Sequence, residues 1–313
     1  VKLPPSIELL HAPTPLEEMP RLRKALGGGP RLFVKRDDVI PFGFGGNKVR
    51  KLQFVAAEAV SRGADTLVTV GGIQSNHARA SAAVAARLGL RCLIIANGAK
   101  PVRATANALL DELLGADVEY IPSRAEREAA STAAMERLER EGRRPYWVPL
   151  GASTPLGAMG FVQAIGELVE QGLTPDVIVH AASSCGTQAG LVAGCALHGM
   201  STEVIGVSAD DPVTALSARV RDIVAGIGRL LGSNLGEPRF TVTDAYVGDG
   251  YGIPTDASRE AQRLAARTEA IFVDNTYTAK ALAALIRWVR ERRWGPERSV
   301  LFWHTGGQVG LFA

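Results

Sequence analysis

The chain of 313 residues is longer than a usual single domain, so two lobes with a ligand-binding cleft between them are expected. Its 46% apolar and 21% charged residues describe an ordinary globular protein and exclude a disordered or fibrous one. The net charge of +3 comes from 35 basic and 32 acidic side chains scattered without a dense Lys/Arg block, which argues against a nucleic-acid partner.

In chain order, the first residues carry no apolar signal core behind a basic start. No later run of about 18 apolar residues could span a bilayer, so no membrane role is expected. An extended run over 33–38 ends in Lys35-Arg36-Asp37-Asp38 and leads into Gly43, Gly45, Gly46, Asn47 and Lys48. Glycines let the main chain approach a ligand closely. A lysine directly behind them can contact a phosphate, condense with a carbonyl, or simply be exposed after a turn. A Walker loop does not fit, because Asn47 precedes the lysine and Val49 follows it where a hydroxyl would hold magnesium.

From residue 66 onward, β-branched runs alternate with amphipathic stretches, the pattern of a mostly parallel sheet covered by helices; the fold class is α/β. Strands are expected at 66–70, 91–96, 117–121, 176–180, 203–207, 271–273 and 299–303. One helix is expected from Asn76 through Leu88, and another over 124–141 with acidic and basic residues on an exposed face. A Pro/Gly-containing segment over 149–157, ahead of an apolar helical pattern reaching Val169, marks the crossing between lobes.

Two turns carry further chemistry. At Gln74-Ser75-Asn76-His77 a strand gives way to a helix capped by Ser75 or Asn76, whose free amides suit a carboxylate or phosphate. Capping alone is an equally simple role there, and a structural one for His77. At Ser184, Cys185, Gly186 and Thr187 a second strand-turn-helix unit offers backbone amides, a hydroxyl and a helix dipole to a phosphate. It lacks the Gly-x-Gly-x-x-Gly of a dinucleotide site. Near the end, Tyr251, Asp274, Tyr277, Thr278, His304 and Thr305 follow strands or loops that would lie at sheet ends, where ligands bind in open α/β folds. The three cysteines, Cys92, Cys185 and Cys195, form no metal or disulfide pattern, which suits a reducing compartment such as the cytoplasm.

Lys35-Arg36-Asp37-Asp38, Gly45-Gly46-Asn47-Lys48 through Arg50-Lys51, and Gln74-Ser75-Asn76-His77 together resemble the D-cysteine desulfhydrase/1-aminocyclopropane-1-carboxylate deaminase family of pyridoxal-phosphate enzymes. The resemblance implies a two-lobed, tryptophan-synthase-β-like fold with a twisted, mostly parallel sheet in each lobe. A cofactor-binding domain would comprise 1–52 and 155–313, and a smaller substrate-side domain 53–154. It implies that Lys48 carries pyridoxal 5'-phosphate as a Schiff base, that Lys51 and the turn from Ser184 through Cys185 and Gly186 to Thr187 hold the phosphate, and that Asn76 meets the ring hydroxyl. Ser75, Asn76 and His77 would receive the substrate carboxylate, Tyr251, Tyr277 and Thr278 would face the substrate, and Thr305 would lie at the pyridine nitrogen. A homodimer is also implied.

The deaminase branch typically has glutamate where this chain has Thr278 and leucine where it has Thr305. A neutral hydroxyl at the pyridine nitrogen makes the ring a weaker electron sink, sufficient for expelling a good leaving group but poor for opening a cyclopropane. The expected activity is therefore a carbon–sulfur lyase converting D-cysteine to pyruvate, ammonia and hydrogen sulfide, with Lys48 as base and Ser75, Tyr251 and Tyr277 assisting. L-Cysteate and other β-substituted amino acids are the alternatives, 1-aminocyclopropane-1-carboxylate a weaker one, and a catalytically silent cofactor-binding protein the non-enzymatic one. The phosphate turn departs from the family in having Ser183, Ser184 and Cys185 where glycine is commoner.

Overall fold

A run such as 177–182 can be buried on both faces only if helices cover both sides of its sheet, and this dictates the architecture. The computed structural model describes residues 2–313. The chain opens with β1 (Leu16–Glu18), α1 (Pro20–Ala25), β2 (Arg31–Arg36) and α2 (Asn47–Ser61). It continues through β3 (Thr66–Gly72), α3 (Asn76–Leu88), β4 (Arg91–Asn97), α4 (Ala106–Leu113), β5 (Asp117–Ile121), α5 (Arg127–Arg140) and β6 (Pro145–Val148). After α6 (Pro155–Glu170) come β7 (Val177–Ala182), α7 (Gly186–Leu197), β8 (Glu203–Ser208), α8 (Val213–Leu231) and β9 (Phe240–Thr243). The last elements are α9 (Asp256–Glu269), α10 (Thr278–Arg290) and β10 (Ser299–His304).

The strands make two sheets, one in the order β1-β2-β10-β7-β8-β9 and one in the order β5-β4-β3-β6. All pairings are parallel except that of β1 with β2. In the larger sheet, Ile178, Leu301 and Trp303 pack under α6, α7 and α8, while their neighbours Val177, Val179, Val300 and Phe302 pack under α1, α9 and α10. In the smaller one, Leu67, Cys92 and Ile94 face α2 and α3, and Val68, Val70, Leu93 and Ile95 face α5. Where α2 and α6 cross, a Cβ on Gly160 would stand 2.2 Å from the Arg50 carbonyl oxygen, so only glycine permits that approach. No described helix is long and apolar enough to cross a membrane.

Most expected strands form, lengthened by a residue or two at their ends. Residues 271–273 do not: burial alternates as in a strand (2%, 59% and 1% exposed), but the segment pairs with no strand, and β10, to which the Phe272 carbonyl is tied through His304, is already paired on both sides by β2 and β7. The unexpected strands β1, β6 and β9 are sheet edges of three or four residues, and β6 begins with a proline, which an edge tolerates. The helix expected over 124–141 is a 3-10 turn at Arg124–Glu126 followed by α5.

Candidate active site

Because the strands are parallel, their C-terminal ends point together, and the loops leaving them converge on one cavity between the two sheets. β3 delivers Gly72, Ser75, Asn76 and His77; β4 delivers Asn97; β7 delivers Ser183, Ser184 and Cys185; β8 delivers Asp210; and β10 delivers Thr305. Lys48 enters from the first turn of α2, and Tyr251 and Tyr277 from the segments before α9 and α10.

Lys48 donates to Asn47 Oδ1 (3.2 Å). Asn47 is itself fixed by its N–H to Thr305 O (3.0 Å) and its side-chain amide to Thr187 Oγ1 (2.9 Å). Burial, and after it the Arg79 guanidinium, lower the Lys48 amine to about 8, with Asp274 opposing. Arg79 in α3 donates to the carbonyls of Gly43 and Gly45, so the glycine loop ahead of Lys48 is held by that helix.

At the start of α3, Ser75 Oγ accepts the Ala78 N–H (3.1 Å) and keeps its own proton free. Asn107 donates to Asn76 Oδ1 (3.0 Å) and to Gln74 O (3.0 Å), which leaves the Asn76 amide hydrogens for the cavity. His77 Nε2 lies 2.8 Å from Thr69 Oγ1, whose single proton goes to Val148 O (2.8 Å). The imidazole is therefore the Nε2–H tautomer. Burial, then Lys48 and Lys51, hold its pKa well below the usual histidine value.

The turn after β7 is donor-rich. Lys51 is 0% exposed, and its amine is pushed well down by burial and then by Lys48. It donates to Ser153 Oγ (3.0 Å), which also accepts the Gly186 N–H (3.2 Å) and donates to Ser184 Oγ (2.8 Å). A Cβ on Gly186 would meet Ser153 Oγ at 2.6 Å, so the two loops close only around glycine. Cys185 takes the left-handed conformation (φ 68°) that glycine adopts more easily, at a cost of about 1–2 kcal/mol. Burial pushes its thiol up to about 11 and it donates weakly to Ser183 O (3.4 Å), so it is a protonated packing group without redox activation.

Tyr251 and Tyr277 hydrogen-bond through their hydroxyls, with rings edge to face and centroids 5.7 Å apart. Burial raises the pKa of both, so both stay protonated. Thr278, expected against the substrate, lies outside the cavity. Its hydroxyl donates to Asp274 Oδ1 (2.6 Å) and accepts the Asp274 N–H (2.8 Å). Asp274 also collects the N–H groups of Thr276, Tyr277 and Thr278, and this carboxylate at the N-terminus of α10 outcompetes the cavity for the hydroxyl. Lys51 and Gly186 stand one layer behind the lining, whereas Lys48, Ser75, Asn76, His77, Ser184, Cys185, Thr187, Tyr251, Tyr277 and Thr305 all reach it.

Sequence reasoning missed Ser153, Asn107, Asn97, Arg124, Arg127 and Asp210. Ser153 sits inside the segment read only as a lobe crossing. Arg124 and Arg127, which the polar pattern assigns to an exposed helical face, line the cavity.

Residues 7–306 match the family described as pyridoxal-phosphate dependent enzyme. A D-cysteine desulfhydrase of Salmonella choleraesuis is 40% identical over 99% of this chain and 96% of its own length, and one of Salmonella typhi matches to the same extent. The crystal structure of an ACC deaminase homologue superposes with a TM-score of 0.92 at 32% identity, covering 99% of this chain and 94% of that one. A fungal L-serine ammonia-lyase from Rhizomucor miehei, 22% identical, shares the fold with a TM-score of 0.69, over 98% of this chain and 96% of its own.

Proposed function

The chain belongs to the pyridoxal-phosphate-dependent enzymes, and from that premise we propose that it is a carbon–sulfur lyase that eliminates sulfide from D-cysteine. The cavity suits the cofactor chemically. Lys51 is a buried amine whose only hydrogen-bond partner among the described residues is a serine hydroxyl, and Ser184, Cys185, Gly186 and Thr187 beside it bring hydroxyls and amides, a set of groups that a phosphate dianion would engage while favouring the charged form of the lysine. Ser184, Thr187 and the Cys185 amide would hold that phosphate, with Lys51, Ser153 and Gly186 behind them. Asn76 and Thr305 would meet the ring, and Lys48 would bind the aldehyde.

When bound, pyridoxal phosphate acidifies the α-hydrogen of an amino acid and takes up the electron pair left behind. Lys48, with an amine poised near neutrality, accepts that proton. Ser75 and the first amides of α3 hold the carboxylate, and Tyr251 and Tyr277 cover the substrate. The Cβ–S bond breaks with its electron pair going to sulfur, and hydrolysis of the remaining three-carbon unit gives pyruvate and ammonia. The single observation carrying this reading is the neutralisable Lys48 amine set between the donor-only turn and the capped start of α3.

A panel of β-substituted D- and L-amino acids assayed for pyruvate tests it: D-cysteine is expected to give the highest kcat/KM. Preferential release of sulfite from L-cysteate would replace the substrate, and efficient formation of 2-oxobutanoate from 1-aminocyclopropane-1-carboxylate would overturn the elimination reading.

The amine must be neutral to condense with the cofactor. Cofactor uptake by the apoprotein is therefore expected to rise about tenfold per pH unit below about 8 and to level off above it, where an ordinary lysine at 10.5 would keep climbing. Stopped-flow absorbance across pH checks this; a rate still rising at pH 10 would contradict it.

We also propose that 1–52 and 155–313 form the cofactor-binding domain and 53–154 the substrate-side domain, a division supported by the membership of the two sheets. Three buried free cysteines support a reducing compartment, the cytoplasm. Exposed Leu109 and Leu113 on α4 and Phe312 on the terminal turn that packs near it support a homodimer.

A further inference from the structure

The cavity is lined by three cations, Lys48, Arg124 and Arg127, against one carboxylate, Asp210. Lys48 has its chemistry. Arg124 is neutralised, since its Nη1 donates to Asp210 Oδ2 at 2.9 Å while its guanidinium lies 4.7 Å from the centroid of the Tyr251 ring at the exposed rim. Arg127, the first residue of α5, differs. Its Nε (3.0 Å) and its Nη2 both donate to Asn97 Oδ1, a neutral acceptor at the end of β4. Among the described residues it has no carboxylate partner within ion-pairing distance, and its Nη1 has no protein acceptor. Asn97 thus fixes the guanidinium without cancelling its charge. A half-buried arginine keeps its charge, and Asp210, the carboxylate that lines the cavity and acts on it, is already paired with Arg124, so Arg127 is available to an anionic ligand.

The substrate carboxylate does not need it, because the start of α3 supplies donors for that group. The phosphate does not need it either, because Lys51 and the turn after β7 serve there. What remains is the side of the cavity where Arg127 faces Tyr251 and Tyr277, the wall assigned to the substrate side chain.

We propose that Arg127 is the contact for the substrate's β-substituent, and that the site selects three-carbon amino acids whose β-substituent carries negative charge, such as a thiolate, sulfinate or sulfonate. The proposal rests on the elimination reading and deepens it. A cysteine thiol ionises near pH 8.5, so a fixed cation beside it favours the thiolate. As the Cβ–S bond breaks its electron pair goes to sulfur, and a thiolate takes up a proton at the same time so that hydrosulfide and not the sulfide dianion leaves. The protonated hydroxyls of Tyr251 and Tyr277 on the same wall supply it, whereas a sulfonate leaves as sulfite without one.

The test uses the pyridoxal-phosphate holoenzyme with R127Q and R127K. Pyruvate release is measured from D-cysteine and from 3-chloro-D-alanine, whose substituent is uncharged until it leaves. In R127Q, kcat/KM for D-cysteine is expected to fall tenfold or more and that for 3-chloro-D-alanine less than threefold, with R127K recovering most of the difference. In parallel, binding of aspartate and of its uncharged isostere asparagine, in both enantiomers, is followed by the cofactor's absorbance. Wild type is expected to prefer aspartate and R127Q to lose that preference. Equal losses on the two substrates, or an aspartate preference intact in R127Q, overturns the proposal. If wild-type enzyme releases pyruvate from neither substrate, the elimination reading fails, and the aspartate–asparagine comparison still decides the charge preference of Arg127.

Discussion

Lys48→Ala is expected to abolish the long-wavelength absorption of the bound cofactor and to lower kcat by at least about 10³-fold, within the range ascribed to a positioned general base. Lys48→Arg is the more incisive variant. It keeps a cation at the start of α2 and preserves any attraction for phosphate, yet a guanidinium neither condenses with an aldehyde nor accepts a proton at neutral pH. If Lys48 acts as an amine, both variants are equally inactive. If it acts only as a phosphate-binding cation, the arginine enzyme retains its cofactor band and a substantial fraction of activity, and the assignment falls. The structure favours the amine, because its electrostatic surroundings oppose the charged form. Burial and Arg79 drive the amine to about 8, and the nearest carboxylate influence, Asp274, is already bound to the backbone of α10. A side chain meant to remain a buried cation is expected in direct contact with a carboxylate, as Arg50 is with Asp37.

What the sequence revealed of this site follows from how local each signal is. The helix at Asn76–Leu88 was legible to the residue because its cap, alanine-rich body and terminating Gly89 are contiguous. Lys48 is legible as a lysine behind glycines, but its meaning comes from resemblance, since the depressed amine depends on burial in the folded cavity and then on Arg79, 31 positions on. Ser153 had no local signal at all. It is an ordinary loop serine until α2 brings Lys51 and α7 brings Gly186 onto it. Arg127 was misread for a related reason: a charged residue opening a polar helix normally faces water, and only the packing of α5 under the smaller sheet turns it into the cavity. The edge strands escape a sequence reading because three or four residues are too short a pattern to read. Residues 271–273 were over-read because alternation reports burial, not pairing.

The motif Lys35-Arg36-Asp37-Asp38 was recognised without a role, and the structure supplies one. Asp37 is 0% exposed and accepts from Arg50 Nε (2.9 Å), Thr14 Oγ1 (3.0 Å) and Trp303 Nε1 (2.8 Å). Arg50 reaches on to Glu167 through two bonds of 2.7 and 3.0 Å, and Lys35 lies 3.5 Å from the same carboxylate. Two cations and two anions are thus buried together where β2, α2, α6 and β10 meet, with the first turn of α2 directly above. Asp37→Ala leaves Arg50 and Lys35 sharing one carboxylate in a fully buried site. The expected loss is about 3–5 kcal/mol, because breaking one member of a buried ionic network strands a charge. Arg290→Ala, which removes an exposed pair with Glu260 at 2.7 Å, is expected to cost no more than about 1 kcal/mol. Urea unfolding of both variants checks the contrast. The site should report it too: the Asp37 carbonyl accepts the Gly46 N–H (2.9 Å) immediately before Asn47 and Lys48, so Asp37→Ala is expected to weaken cofactor retention as well as stability. A destabilisation below about 1 kcal/mol would mean that the array relaxes or admits water, and that the frame beneath Lys48 is held by apolar packing alone.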